Sequence, residues 1–209
     1  SSGMPNVIDN KMAQISHKTG LFFGSFNPIH VGHMVLANYM VAFTDLDEVW
    51  FIVSPQNPLK DTSQLAPEYH RLEMVRIALG DDPRFRVSDI EFRMPRPSYT
   101  IDTLVWLSEK FPARSFIPIV GGDNLAGIKR WKNWEVLLSD YGLYVYLRPG
   151  YNLSDSISAN VTIFEAPLMD ISASFIRSSI NEGKDIRHLV PSGVYEYMLQ
   201  NNLYNRTSL

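Results

Sequence analysis

The sequence predicts an α/β domain built on a mostly parallel sheet. Two observations carry that expectation. Short, β-rich apolar runs alternate along the chain with segments whose apolar residues recur at helical spacing. The runs also end in Gly, Ser or Pro, the residues that let a strand stop and a loop begin.

Thr19 to Phe23 reads as the first strand, closed by Gly24, and residues 31–43 carry a helical pattern. Glu48 to Val53 is β-rich and stops at Ser54-Pro55, the second strand. A polar, Pro-containing loop spans Gln56 to Pro67. Leu72, Val75 and Leu79 then fall on one helical face, ended by Gly80. Arg84 to Ile90 reads as a third strand, Arg93 to Ser98 as a loop, and Leu104, Leu107 and Phe111 mark the next helix. Ser115 to Val120 is an apolar run stopped by Gly121-Gly122, although Pro118 argues against a central strand. Leu143 to Leu147 and Val161 to Phe164 read as strands on either side of a polar loop, Arg148 to Ala159. A late helix begins at Ser174, and Pro191-Ser192-Gly193 opens a terminal helix carrying Val194, Tyr197 and Met198.

Composition narrows the function classes. The chain has 209 residues, 45% hydrophobic and 20% charged, which suits one globular domain and excludes collagen, coiled coil and disorder. Nineteen basic against 22 acidic residues give a net charge of −3, which argues against nucleic-acid binding by bulk phosphate neutralisation. The chain has no cysteine, so disulfides, thiolate nucleophiles and Cys-ligated metals are excluded. That fits a cytoplasmic protein. No stretch has the length and apolarity of a membrane span, and no secretion signal is visible. Residues 1–18 are expected to form a mobile arm, with Ser1-Ser2-Gly3 before Met4 a cloning remnant; 19–209 are expected to form a single domain with a helical C-terminal part.

In an open parallel sheet, ligands sit beyond the carboxyl ends of the strands. The loop after the first strand reads Gly24-Ser25-Phe26-Asn27-Pro28-Ile29-His30-Val31-Gly32-His33. Gly24 and Ser25 allow the backbone to approach a bulky anion, and Asn27-Pro28 sets a turn. His30 and His33 share a face at a helix start. Their imidazoles and the free N–H groups of the helix end are expected to converge on a polyphosphate. A metal pair is the competing reading, but no matching Cys or Glu-rich set accompanies it. The frame is neither GxGxxG nor GxxxxGK[ST], which argues against dinucleotide oxidoreductases and P-loop enzymes.

This loop resembles the HxGH signature of a nucleotidyltransferase superfamily. Ile171-Ser172-Ala173-Ser174-Phe175-Ile176-Arg177 resembles the same superfamily's second signature, Ile-Ser-x-[Ser/Thr]-x-Ile-Arg, and lies in the expected order. Ser172 and Ser174 are natural helix caps, and Arg177 offers a planar fork one turn on. A capped helix with a surface arginine is the bland alternative.

Three further segments are similar to bacterial nicotinate-nucleotide adenylyltransferases: Gly121-Gly122-Asp123-Asn124-Leu125 with Trp131-Lys132-Asn133-Trp134, Pro97 to Leu104 around Ser98-Tyr99-Thr100, and the ending Leu189 to Tyr204. Asn57-Pro58-Leu59-Lys60 and His70-Arg71 also match. Two departures are Asn27, often Asp in bacterial members, and Ala173, commonly Ser.

The resemblance implies a Rossmann-like, doubly wound nucleotidylyltransferase fold and transfer of AMP from ATP to nicotinate mononucleotide, with Mg²⁺ arriving on ATP and no metal ligated by the protein alone. It implies that His30, His33 and Arg177 act in catalysis. Gly24, Ser25, Phe26, Gly121, Asp123, Ile171, Ser172 and Ser174 would join them around ATP. Asn27, Lys60, Tyr99, Thr100, Trp131 and Lys132 would face the nicotinate nucleotide. Asp123 reads equally as a ribose ligand or a helix N-cap. Trp131 is favoured as a stacking plate for the pyridine ring and Trp134 as core, although both indoles suit ordinary packing. A different acceptor (nicotinamide mononucleotide or phosphopantetheine) and a catalytically silent nucleotide-binding module are the alternatives. A homo-oligomer is left open.

Overall fold

A computed structural model describes residues 17–55, 64–148 and 160–205. Six parallel strands form one sheet in the order β3-β2-β1-β4-β5-β6: β1 His17–Gly24, β2 Glu48–Val53, β3 Phe85–Ser88, β4 Arg114–Gly121, β5 Leu143–Leu147 and β6 Val161–Glu165. The principal helices are α1 Val31–Phe43, α2 Glu68–Leu79, α3 Thr100–Lys110, the short α4 Gly122–Leu125 and α5 Trp134–Val136, then α6 Ala173–Asn181 and α7 Val194–Gln200.

Side chains alternate between the two faces because a strand's period is two. Phe22, Phe51, Val53, Ile117 and Ile119 point to one face, where Leu36 and Met40 of α1, Met74 of α2, Ile176 of α6 and Met198 of α7 cover them. Leu21, Trp50, Ile52, Phe116 and Val120 point to the other, against Ile101, Leu104 and Leu107 of α3 and the residues around Leu137. Both faces are therefore apolar, which explains why β2 is buried along its whole length.

The structure differs from the sequence expectation in several places. β3, expected over Arg84 to Ile90, spans only Phe85–Ser88, because Ile90 opens the turn Ile90–Arg93. β1 begins at His17, and Lys18 is tied down through its backbone N–H to Asp47 and its ammonium to Asp45, so both residues belong to the sheet and not to an arm. Pro118 lies inside central β4, opposite Leu21 of β1. The ladder with β5 starts one residue later, at Ile119, so the proline interrupts none of its pairs.

The strand order reverses between β1 and β4, and the loops after these two strands open the crevice where an α/β sheet takes its ligand. α1, α3, α4 and α6 each follow a strand and start at that same carboxyl edge. Among the described residues no helix is long and apolar enough to cross a membrane.

Candidate active site

His30 is the N-cap of α1, in extended backbone conformation, and its Nδ1 accepts the N–H of Gly32 at 3.1 Å. The backbone N–H of His30 in turn donates to Nδ1 of His33 at 3.0 Å. With both Nδ1 atoms accepting, each neutral ring carries its proton on Nε2. The rings stack 3.7 Å apart, and His33 packs on the edges of Phe22 and Phe26. Burial depresses the His30 pKa to about 4; burial, and to a lesser degree His30 itself, depresses that of His33 to about 3. Both are neutral hydrogen-bond donors at neutral pH, not imidazolium cations.

The glycines of this loop serve close packing. A Cβ on Gly32 would lie 2.9 Å from the His30 ring, and one on Gly24 would lie 3.1 Å from the ring of Phe26. A side chain at Gly24 would press on Phe26, a core residue held at φ 47°, so close packing by itself calls for glycine there. A correction concerns the start of α1. Val31 N–H donates to Leu189 O, Gly32 N–H to His30 Nδ1, and His33 and Met34 N–H to His30 O. The helix end is satisfied within the chain, and the donors left to an anion are the imidazole Nε2–H groups.

The second segment supplies what α1 does not. Ser172 caps α6 by accepting the N–H of Phe175 at 3.1 Å. The N–H groups of Ala173 and Ser174, the first two positions of α6, have no partner among the described residues. The Ile171 carbonyl lies 3.9 Å from where a Cβ of Gly32 would stand, so the two helix starts are neighbours. Arg177 reaches back to the first loop, donating to Asn27 O at 2.8 Å, and to Ser174 Oγ at 3.3 Å. Segments 150 positions apart are joined by that one bond. Among the described residues, two of the five guanidinium N–H donors find partners and the buried Nε–H has none.

Asn27 is buried at 6% exposure, and its side chain is spent inside the chain. Nδ2 donates to Gln64 O at 2.9 Å, while Oδ1 accepts the N–H of Ala66 at 3.1 Å and the hydroxyl of Tyr204 at 2.6 Å. These bonds occupy Oδ1 fully and leave the second N–H of Nδ2 without a partner among the described residues. Ser25 is exposed, and its carbonyl accepts from Arg71. After β4, a Cβ on Gly121 would meet Asp123 Oδ1 at 2.7 Å. Gly121, not Asp123, is the N-cap of α4, so the capping alternative for Asp123 is withdrawn and its carboxylate stands exposed at the crevice edge.

The residues assigned to the acceptor group separately. Tyr99 is the N-cap residue of α3 and 45% exposed; Thr100 begins the helix. Lys132 pairs with Asp102 at 2.9 Å and lies over the Tyr99 ring, which brings the 99–103 and 131–134 segments together. Trp131 and Trp134 are both half-buried against the second core face, so burial does not separate a stacking plate from a core residue. Lys60 lies outside the described residues.

In the sequence, Arg71 stands out only as part of the His70-Arg71 match. It is fully buried, and its guanidinium donates to Ser25 O at 2.8 Å, Ser54 O at 2.7 Å and Ala66 O at 2.8 Å. It therefore fixes the ends of β1 and β2 against the segment before α2. Burial pulls its pKa down. A cation at the head of an amphipathic helix gives no sign of this in sequence, since the position is equally suited to solvent. Among the described residues, no group of three His, Asp or Glu is arranged to hold a metal.

Comparison with known proteins bears on the family and the fold. The family model described as cytidylyltransferase-like matches residues 21–179. The chain is 50% identical over 191 residues to the probable nicotinate-nucleotide adenylyltransferase of Cytophaga hutchinsonii, covering 90% of this chain and 98% of that protein. It is 47% identical over 184 residues to the protein of the same name from Bacteroides fragilis, covering 88% and 92%. The fold is similar to Plasmodium falciparum nicotinic acid mononucleotide adenylyltransferase solved with NaAD, with a TM-score of 0.73, 20% identity, and coverage of 90% and 97%. An identity this high over nearly the whole length, with the family model matched over residues 21–179, places the chain in the cytidylyltransferase-like superfamily, among its nicotinate-nucleotide adenylyltransferases.

Proposed function

We propose that the crevice between β1 and β4 is where this nicotinate-nucleotide adenylyltransferase joins the phosphate of nicotinate mononucleotide to the adenylyl group of ATP. The products are nicotinate adenine dinucleotide and pyrophosphate. The observation that carries the placement is the Arg177 bond to Asn27 O, which sets the start of α6 beside the His30–His33 pair.

The nucleophile is a phosphate monoester, already anionic at neutral pH, so the reaction calls for no strong base. What it calls for is alignment of two anions that repel each other and stabilisation of charge as pyrophosphate leaves. His30 and His33 supply two Nε2–H donors held at fixed orientation by their own Nδ1 bonds. His33 is assigned to the α-phosphate. The free N–H groups of Ala173 and Ser174 and the remaining donors of Arg177 take the β and γ end, where the leaving charge collects. Asp123 accepts from a ribose hydroxyl.

Trp131 stacks on the pyridine ring, while Thr100 and the Lys132 N–H face its carboxylate. Tyr99 lines the same side, and Lys60 offsets charge on the acceptor phosphate. Mg²⁺ would arrive on the nucleotide, since among the described residues the two segments offer donors and no carboxylate cluster; bound to the phosphates, it would neutralise part of their charge.

The test is pyrophosphate release from ATP, Mg²⁺ and one acceptor at a time. The expected result is kcat/KM for nicotinate mononucleotide at least about 100-fold above nicotinamide mononucleotide and phosphopantetheine. Equal use of another acceptor overturns the acceptor assignment. A tight ATP complex with no turnover above a His33→Ala control overturns the enzymatic reading.

A further inference from the structure

A buried carboxylate that takes no part in the phosphate chemistry lies at the same edge of the sheet. Glu91 sits in the single 3₁₀ turn Ile90–Arg93 that follows β3 and is 4% exposed. Among the described residues it has no ion-pair partner. Its two oxygens are divided between two hydroxyls. Oε2 accepts from Thr103 Oγ1 at 2.8 Å, and Oε1 accepts from Ser98 Oγ at 3.2 Å. Thr103 is itself fully buried.

These two hydroxyls stand on either side of Tyr99 and Thr100, where a loop becomes α3. Tyr99 occupies the N-cap position but provides no side-chain cap. Its carbonyl accepts the N–H groups of Asp102 and Thr103, so the first turn forms with no cap of its own to fix where it starts. Glu91 supplies that anchor from outside the helix. An apolar side chain would fill the same space without the cost of desolvating a carboxyl, so packing alone does not account for a glutamate here.

We propose that Glu91 is a positioning residue for acceptor recognition: by holding Ser98 and Thr103 it sets the turn at Tyr99–Thr100 that meets the pyridine carboxylate. This rests on the placement of Tyr99 and Thr100 at the acceptor. Burial raises the Glu91 pKa while the two hydroxyl donors oppose the rise, as expected for a carboxyl held by neutral partners alone.

The test compares Glu91→Ala, Glu91→Gln, Ser98→Ala and Thr100→Val by steady-state kinetics on the full chain, varying ATP and nicotinate mononucleotide separately. Glu91→Ala is expected to raise KM for nicotinate mononucleotide about tenfold and leave KM for ATP within about twofold, with a smaller preference over nicotinamide mononucleotide. Glu91→Gln keeps an acceptor for Thr103 and offers a donor to Ser98, so it should restore most of the loss. Ser98→Ala removes one bond from an exposed loop and should raise acceptor KM about threefold, which keeps the test decisive if Glu91→Ala does not fold. Equal rises in both KM values, or an unchanged acceptor KM in Glu91→Ala and Ser98→Ala while Thr100→Val raises it, overturn the role of Glu91 alone. An unchanged acceptor KM in Thr100→Val overturns the acceptor placement and the proposal with it.

Discussion

His30 and His33 are held neutral by burial, and each points one Nε2–H away from its own backbone. If those protons stabilise charge mainly in the transition state, His33→Ala should lower kcat by about 100-fold or more and change ATP affinity much less. Equal losses would make His33 a ground-state contact. Depressed pKa values also fix a sign for stability. Below the unfolded value of about 6.5 the unfolded chain binds these protons and the folded chain does not. The contribution is therefore complete above pH 6.5 and is lost as pH falls towards 4 and 3. Unfolding by denaturant at pH 7.5 and pH 5 should show the wild type losing about 2–4 kcal/mol more than a His30→Gln/His33→Gln double variant. A loss of the same size in both proteins would place the acid sensitivity elsewhere. At this scale the pair of imidazoles was legible from the sequence because its spacing and its glycine are local. The duties of Asn27 and Arg71 were not, because every partner of their side chains lies more than one turn away in the chain, from Ser25 to Tyr204.

Two of the elements around the site, α1 and α6, start at side-chain caps, His30 and Ser172. Ser172 caps α6, and its carbonyl accepts Ile176 N–H. Replacing Ser172 with Ala should cost about 1 kcal/mol, a Tm lower by about 2–4 °C in a chain of this size. An unchanged Tm would mean that α6 is held by Ile176 in the core and not by its cap. Helix α1, its residue range and the strand ends around it were readable because apolar periodicity and Gly or Pro punctuation agree there. β4 was doubtful in sequence for a sound reason that tertiary pairing removes: Pro118 falls before the β5 ladder begins. The short turns 90–93 and 128–130, and α5 with the turn after it, carry too few residues for a period to show.

Across the whole molecule, function depends on strand order. β1 lies between β2 and β4, so the loop after β1 faces the one after β4, and the chain must run through β5 and β6 before α6 returns to the first loop. The amino-acid pattern shows that a parallel sheet forms; the order in which strands pair is set by long-range packing that no local segment encodes. The C-terminal end closes the assembly, since Tyr204 bonds Asn27 whose carbonyl holds Arg177. Tyr204→Phe should lower kcat/KM for ATP about three- to tenfold with the fold intact by circular dichroism, the size expected from one lost hydrogen bond. No change would detach the C-terminus from the phosphate site. The most direct measurement of the central claim is a double-mutant cycle on kcat/KM with His33→Ala and Arg177→Ala. If both side chains act on one triphosphate, the double variant should lose at least about 1 kcal/mol less than the sum of the single losses. Losses that add to within about 0.5 kcal/mol would mean that the two segments act independently, contradicting a single phosphate cradle.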